Sequence, residues 1–361
     1  MSSLVFAIAI HFDKSLNVKM RKCHVVLTTI FAFSMIVLPL GAFAGGGHHT
    51  NGSHHLHVKY YRDKCPQIEF VVAKAVARAF ASDPNVAAGL IRLFFHDCFI
   101  TGCDASILLD STPTGEPVEK ISPANGKNVK AYYVIDEIKA QIERECPQTV
   151  SCADILAYAS RESVFLSGLP YYPVQAGRRD GFTSRASNII GNIPFPTMSV
   201  DAMIEVYARK GLTLKDLVVL AGAHSIGNIH CKMFDYRIYL NLTDTKVPPM
   251  VTSFAAYLKT KCPSPNLGTW EERDKVIVQF DPFSPFRLDN TFYKNLLRGR
   301  GLLQSDQVLV SDRRTRRIVR DMAFNPEVWS RKFVRAMIKM GNVDVLTGNE
   351  GEIRRNCRIF N

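Results

Sequence analysis

No internal repeat runs through the 361 residues of this chain, and no stretch after residue 56 has the composition of an interdomain linker. Solenoids and strings of modules are excluded, and the chain has ample length for a large core. No CxxC pair occurs, which makes zinc a poor reading of the nine cysteines. No Lys/Arg run is interleaved with aromatics, so no nucleic-acid partner is expected. The apolar run at residues 25–40 is 16 residues, marginally short for a membrane span. Strand signals are few and short, as at 276–280, so the fold class is mainly α. Acids are outnumbered, 33 Asp+Glu against 45 Lys+Arg, leaving a formal charge of +12. That balance favours polyanionic surroundings. The densest basic cluster, Arg313-Arg314-Thr315-Arg316-Arg317, reads best as a solvated helix face.

The first 55 residues divide on composition. Met20-Arg21-Lys22 opens a basic segment, residues 25–40 are apolar, and Ala42-Phe43-Ala44 is a small-x-small cleavage site. This is the layout of a secretory signal peptide. Residues 1–19 precede a second Met, so 1–44 read as an N-terminal extension plus signal. Residues 45–55 form a Gly/His-rich leader whose histidines lack the rigid spacing or carboxylate support of a metal site. The folded domain spans 56–361. Once Cys23 leaves with the signal, Cys65, Cys98, Cys103, Cys146, Cys152, Cys231, Cys262 and Cys357 remain. An even count in a secreted chain implies four disulfides, with 105 pairings open. The sequons Asn51-Gly52-Ser53 and Asn241-Leu242-Thr243 fit a glycosylated product. An extracellular location follows, with no membrane attachment after cleavage; an uncleaved anchor is the alternative reading of the same segment.

Apolar periodicity predicts helices over 71–82, from Asp83-Pro84 through His96, over 133–146, and from Ser151 onward. Another covers 199–210 and stops at Gly211. Thr213-Leu214-Lys215-Asp216 caps a short helix that delivers Gly222-Ala223-His224. Further helices are expected at 250–261, 289–298, 315–323 and 326–339.

Chemistry concentrates in Arg92-Leu93-Phe94-Phe95-His96-Asp97-Cys98. Four residues make one helical turn, so Arg92 and His96 share a face with Cβ atoms roughly 6 Å apart. Phe95 flanks them and keeps the site partly dry, which strengthens both charges' effects. A base beside a fixed cation suits a substrate that loses a proton and then separates charge. A cysteine or metal hydrolase built on His96-Asp97-Cys98 is disfavoured, because Cys103 stands five residues on in an oxidising compartment. A second histidine, His224, is framed by Ala221, Gly222, Ala223 and Gly227, small neighbours that let something large and flat approach. Alone, a helix-end His is more often structural. Asp306, in Leu303-Gln304-Ser305-Asp306, changes that, since a metal-ligating His usually donates its other ring N–H to such an acceptor.

Taken together, these residues resemble the secretory plant haem peroxidases, class III of the plant peroxidase superfamily. The matching motifs include Phe94-Phe95-His96-Asp97-Cys98-Phe99, Gly102-Cys103-Asp104-Ala105-Ser106, Gly222-Ala223-His224-Ser225-Ile226-Gly227 and Gln304-Ser305-Asp306-Gln307. Ala336-Met337-Ile338-Lys339-Met340-Gly341, Leu346-Thr347-Gly348 and Gly351-Glu352-Ile353-Arg354 follow in the same order, so the likeness spans essentially 56–361. It implies an all-α, two-lobed fold with minor short strands and haem b between a distal and a proximal lobe.

The resemblance also implies roles. His224 would be the proximal iron ligand and Asp306 its hydrogen-bond acceptor. His96 would act as base and then acid on peroxide, with Arg92 stabilising the charge that develops. Asn125 would fix the His96 tautomer, and Phe95 and Phe280 would flank the cofactor. Two Ca2+ ions are implied. Asp97, Ile100, Gly102, Asp104, Ser106 and Glu119 would hold the distal one, and Ser225, Asp281, Ser284, Arg287 and Asp289 the proximal one. The implied disulfides are Cys65–Cys146, Cys98–Cys103, Cys152–Cys357 and Cys231–Cys262. The third closes a loop of about 200 residues, worth roughly 4–5 kcal/mol in the chain-entropy model. Pro194, in Pro194-Phe195-Pro196, matches the segment that touches aromatic donors.

The expected partners are therefore hydrogen peroxide and small phenols, with electrostatic association to pectic polysaccharide, in a monomer. The rival is a haem-binding extracellular protein without turnover. Two departures from the family pattern stand out: Lys130-Ala131 in place of Arg-Gly, and Leu288 in place of an aromatic. The leader is also longer than usual, and the four residues after Cys357 carry no sorting extension.

Overall fold

A computed structural model describes residues 56–239, 248–267 and 269–361. The signal, the leader and both sequons lie outside the described residues. Strand β1 (His57–Val58) opens the chain and pairs antiparallel with β2 (Gln175–Ala176). Four helices make the first half: α1 (Ile68–Ser82), α2 (Asn85–Ile100), α3 (Tyr132–Glu145) and α4 (Cys152–Leu166). Helix α2 packs chiefly on α4, and α1 on α4 and α3. The reason is composition: α4 is buried from Cys152 to Val164, so its neighbours must cover it on every side. Ser151 caps α4 by accepting from the Asp154 amide at 3.1 Å, as its position before the run requires.

The second half begins with α5 (Val200–Arg209), which ends at Gly211 with φ +67°, and α6 (Leu214–Leu220). Thr213 and Asp216 form a reciprocal capping box at the start of α6. A 3-10 turn over Ala221–Ser225 follows, kinked at His224. Strand β3 (Asn228–His230) precedes α7 (Tyr236–Tyr239), α8 (Thr252–Lys259) and α9 (Trp270–Asp274). Strand β4 (Ile277–Gln279) pairs antiparallel with β3, Ile229 opposite Val278. Then come α10 (Thr291–Leu297), α11 (Gln304–Ser311), α12 (Arg313–Phe324) and α13 (Pro326–Met340). Helix α11, the pair α7 and α9, and the strands β1 to β3 had no counterpart among the expected elements. Each is short, and its length is set by tertiary pairing rather than by periodicity.

Most buried apolar residues join one core, and Ile229, Phe234, Ile238, Leu258 and Leu302 form a second, smaller one. Four disulfides pair Cys65 with Cys146, Cys98 with Cys103, Cys152 with Cys357 and Cys231 with Cys262. Among the described residues no helix is long and apolar enough to cross a membrane.

Candidate active site

Helix α2 places Arg92 and His96 one turn apart, as their spacing demands. His96 is buried at 1% exposure, and its ring meets Phe95 edge-on at 5.5 Å. Its Nδ1–H donates to Asn125 Oδ1. The amide's orientation is set independently, because Asn125 Nδ2 donates to the Glu119 carbonyl at 2.8 Å. An amide oxygen cannot donate, so the Nδ1 side of His96 carries the proton and Nε2 is the free lone pair. That Nε2 is buried and has no partner. A buried acceptor without a partner is costly unless a ligand uses it.

Burial, then the neighbouring Arg92 charge, pushes the His96 pKa well below 6.5. The imidazole therefore stays neutral and basic at mildly acid pH. Arg92 retains accessible surface, yet protein surrounds it closely enough for desolvation to pull its pKa down to about 10. Both hold at once for a side chain on the wall of a cleft.

Behind this pair lies a nest of buried carboxylates. Asp97 Oδ2 accepts from the Ala105 amide at 3.0 Å, while Oδ1 has no partner. Asp104 accepts from the Ser106 amide and from the Thr101 hydroxyl. Ser106 donates to Glu119 Oε2 at 3.2 Å, and Glu119 Oε1 is again unpartnered. Burial first, then mutual repulsion, raises Asp97 and Glu119 well above ordinary carboxylates, and burial raises Asp104. Arg354 offsets part of this from the far end of the chain, donating to the Ala105 carbonyl at 2.8 Å. The Gly102 carbonyl accepts from the Asp104 amide, and Gly102 adopts φ +123°. Ile100 gives its carbonyl to Lys210 Nζ at 3.1 Å. Among the described residues no three His, Cys, Asp or Glu side chains are assembled as a metal site. An oxygen cage here would have to draw on carbonyls and hydroxyls as well.

The second histidine sits differently. His224 Nδ1–H is shared between Asp306 Oδ1 at 3.0 Å and Oδ2 at 3.1 Å, and Asp306 comes from α11. Phe280, one residue past β4, lies flat on the imidazole at 4.4 Å with the planes 2° apart. Phe292 meets the ring edge at 6.1 Å. The His224 side chain keeps 30% of its surface accessible, whereas Asp306 keeps 4%. Next to His224, Ser225 Oγ accepts from the Asp289 amide. Ser284 Oγ bridges Asp281 and Asp289 at 3.0 Å each, and the Ser284 carbonyl accepts from the Arg287 amide.

Pro194 is half-buried, and its segment is tied to α11. The Pro196 carbonyl accepts from the Ser305 amide at 2.9 Å, and the Thr197 carbonyl from Gln304 Nε2. The Pro-x-Pro segment and Asp306 are thus held by one helix end.

Gly222 corrects the sequence reading. A Cβ there would lie 2.6 Å from both Trp329 Nε1 and Tyr293 Oη, so its smallness serves helix packing rather than approach of a flat group. Two contributors had no local signal, Lys210 on the Ile100 carbonyl and Gly181, whose Cβ would strike Asp104 at 2.3 Å; Arg354, visible only as the end of a motif, reaches the Ala105 carbonyl.

One histidine held neutral beside an arginine, and another backed by a carboxylate and stacked on a phenyl ring, are the two sites that the resemblance to helical haem peroxidases implied. The chain belongs to the peroxidase family, whose profile matches residues 72–325. It is 45% identical over 307 residues to Peroxidase 5 of Vitis vinifera, covering 85% of this chain and 92% of that protein. Peroxidase 57 of Arabidopsis thaliana is also 45% identical, over 85% and 93% of the two chains. Peroxidase 72 of the same plant is 39% identical over 96% and 98%. The chain is a plant class III peroxidase, an enzyme that uses hydrogen peroxide.

Proposed function

We propose that this enzyme is secreted to the cell wall, where it oxidises small phenols by one-electron steps. The radicals would couple into lignin, suberin or cross-linked wall polymers. The observation that carries the reading is the buried, unpartnered Nε2 of His96 beside Arg92, with its tautomer held by Asn125. The residues fit haem b on two counts: a partly accessible His224 backed by Asp306, and a buried base one helical turn from the Arg92 cation. Haem, which His224 would hold, would supply redox-active iron for peroxide cleavage and one-electron donor oxidation.

The chain's own residues then have distinct tasks. His96 Nε2 takes the proton of the first peroxide oxygen and returns it to the departing one. The Arg92 guanidinium stabilises the negative charge on that oxygen. Asn125 keeps Nδ1 protonated throughout, so Nε2 alone exchanges protons. Asp306 accepts from His224 Nδ1–H, which leaves Nε2 as the free lone pair and fixes the ring's orientation. Phe95 helps keep water from the His96 imidazole, and Phe280 covers one face of His224.

Two calcium ions complete this reading. Asp97, Asp104, Ser106 and the Ile100 and Gly102 carbonyls, with Glu119 behind them, would hold one. Ser225, Asp281, Ser284, Asp289 and the Arg287 carbonyl would hold the other. Donors would meet the Pro194 segment. The basic surface would hold a monomeric enzyme on pectic acids, less so as salt rises. Turnover of the haem- and calcium-loaded enzyme against ferulate, coniferyl and sinapyl alcohols and ascorbate, in wild type and His96→Leu, tests the assignment. Phenol turnover lost in the variant is expected; preference for ascorbate overturns the donor class, and a Soret band without guaiacol oxidation overturns catalysis.

A further inference from the structure

A row of aromatic rings leads away from His224 into the protein interior. Phe292 and Tyr293, consecutive on α10, come first: Phe292 meets the His224 ring edge-on at 6.1 Å, and Tyr293 meets Phe292 at 5.1 Å. Trp329 of α13 follows, edge-on to Tyr293 at 6.1 Å and itself 1% exposed. The indole also touches the histidine's own loop: a Cβ at Gly222 would lie 2.6 Å from Trp329 Nε1. Its N–H donates to the Val219 carbonyl at 3.3 Å, in the last turn of α6. No step in the row exceeds 6.1 Å between ring centres.

The rings differ in how readily they lose an electron. A phenol that is oxidised must also shed its proton, and Tyr293 has nowhere to send it. Its hydroxyl donates to the Val218 and Val219 carbonyls at 2.9 and 3.0 Å, which are acceptors but not bases. Burial also pushes its pKa well above the usual phenol value. An indole can give up an electron and keep its N–H. The carbonyl end of α6 then faces the positive charge that remains. Among the described residues no lysine or arginine stacks on Trp329. Lys120 and Arg358, by contrast, lie 4.9 and 5.4 Å from the centre of the Tyr132 ring and oppose its oxidation.

We propose that Trp329 is an internal electron donor to the haem on His224, holding one oxidising equivalent when no phenol is at hand. When the O–O bond breaks, one oxygen leaves as water with both peroxide protons, moved by His96, and the enzyme is short of two electrons. One is withdrawn from the haem and one from the Trp329 indole, which becomes a radical cation, breaks no bond and keeps its proton. A phenol arriving later returns that electron, becomes a phenoxyl radical and releases its own proton to solvent. The inference rests on the haem-bound reading above and adds to it: an equivalent that no donor collects is held behind His224 rather than left on the haem ring.

The test mixes the haem-loaded enzyme with one equivalent of hydrogen peroxide, no donor present, and reads the rapidly frozen sample by electron paramagnetic resonance. Wild type should show an organic radical whose hyperfine pattern changes when the chain carries ring-deuterated tryptophan, and not when it carries ring-deuterated tyrosine. Of the two tryptophans in the chain, W329F should abolish the signal and W270F should keep it. W329F should also be inactivated by fewer equivalents of peroxide, with phenol turnover at wild-type level. Labelling the wild-type chain gives the answer even if W329F folds poorly. No radical in wild type, a pattern that tyrosine labelling changes, or an unchanged signal in W329F would each overturn the proposal. Wild type that neither oxidises phenols nor shifts its Soret band with peroxide refutes the haem reading and this inference with it. Wild type that does both and yields no indole signal refutes this inference alone.

Discussion

The two histidines of this enzyme are the same side chain put to opposite uses. His96 lies within a long helix, buried, next to a cation and bonded to a neutral amide, and its pKa is driven well below the usual value. His224 lies in a kinked 3-10 turn, partly accessible, with a carboxylate from another helix behind it and a phenyl ring flat against it. One environment suits a proton acceptor that stays neutral; the other, on the function proposed above, would suit an iron ligand. The difference comes from the partner on Nδ1, an amide oxygen in one case and a carboxylate in the other. The halves differ in backbone as well. Among the described residues Lys59, Ala105, Ala131, Gln148 and Asp344 are non-glycines at positive φ, whereas between residues 200 and 340 every positive-φ residue is a glycine.

His96→Leu should separate the two roles most sharply. The rate of reaction with hydrogen peroxide, followed by stopped flow, should fall 10²–10⁴-fold while the Soret band of the bound haem remains. Haem loss in that variant would break the comparison. Asp306→Asn should act on the other side, lowering haem affinity or turnover by 10–100-fold with little change in the acid limb of the pH profile.

On the calcium sites proposed above, chelation should affect the Asp97 side more, because Asp97, Asp104 and Glu119 are three neighbouring buried carboxylates. An ion present at 100 times its Kd contributes about 2.7 kcal/mol, so chelation should lower Tm by several degrees. Asp97→Asn should abolish most of that calcium dependence. The pH profile sharpens the distal side further. With its pKa depressed, His96 should sustain the peroxide reaction below pH 6.5, and the rate should fall only as pH drops through the lowered value. The same depression makes the folded state bind fewer protons than the unfolded one, so this group's contribution to stability is lost over that window. Arg92→Leu removes the second cause of the shift, and its acid limb should move upward. Smallest of all, Ala131→Gly should stabilise the protein by about 0.5–1 kcal/mol in thermal unfolding, since Ala131 holds φ +69°.

That last residue shows how the sequence could and could not be read. Ala131 was visible as a departure from the family pattern, but only the backbone angle says what it costs. Helix α2 was legible because Arg92, His96 and the apolar residues around them share one period. Helix α11 was not, because eight residues with one polar turn give no period to detect. Gly222 was noticed for the right residue type and the wrong reason, since its neighbours Trp329 and Tyr293 lie over 70 residues away. Lys210 on Ile100 was invisible for the same cause: 110 residues separate donor and acceptor.

By itself, the sequence determined the helical class, the Arg92–His96 turn, the capping of α4 and α6, and the family. These depend on residues within one or two turns of each other, where helix geometry converts spacing directly into position. Tertiary structure alone decided which proton each histidine holds, which carboxylates repel one another, and which rings line up behind His224. Those properties depend on burial and on partners distant in the chain. A desolvated lone pair, unlike a motif, exists only once the fold has closed around it.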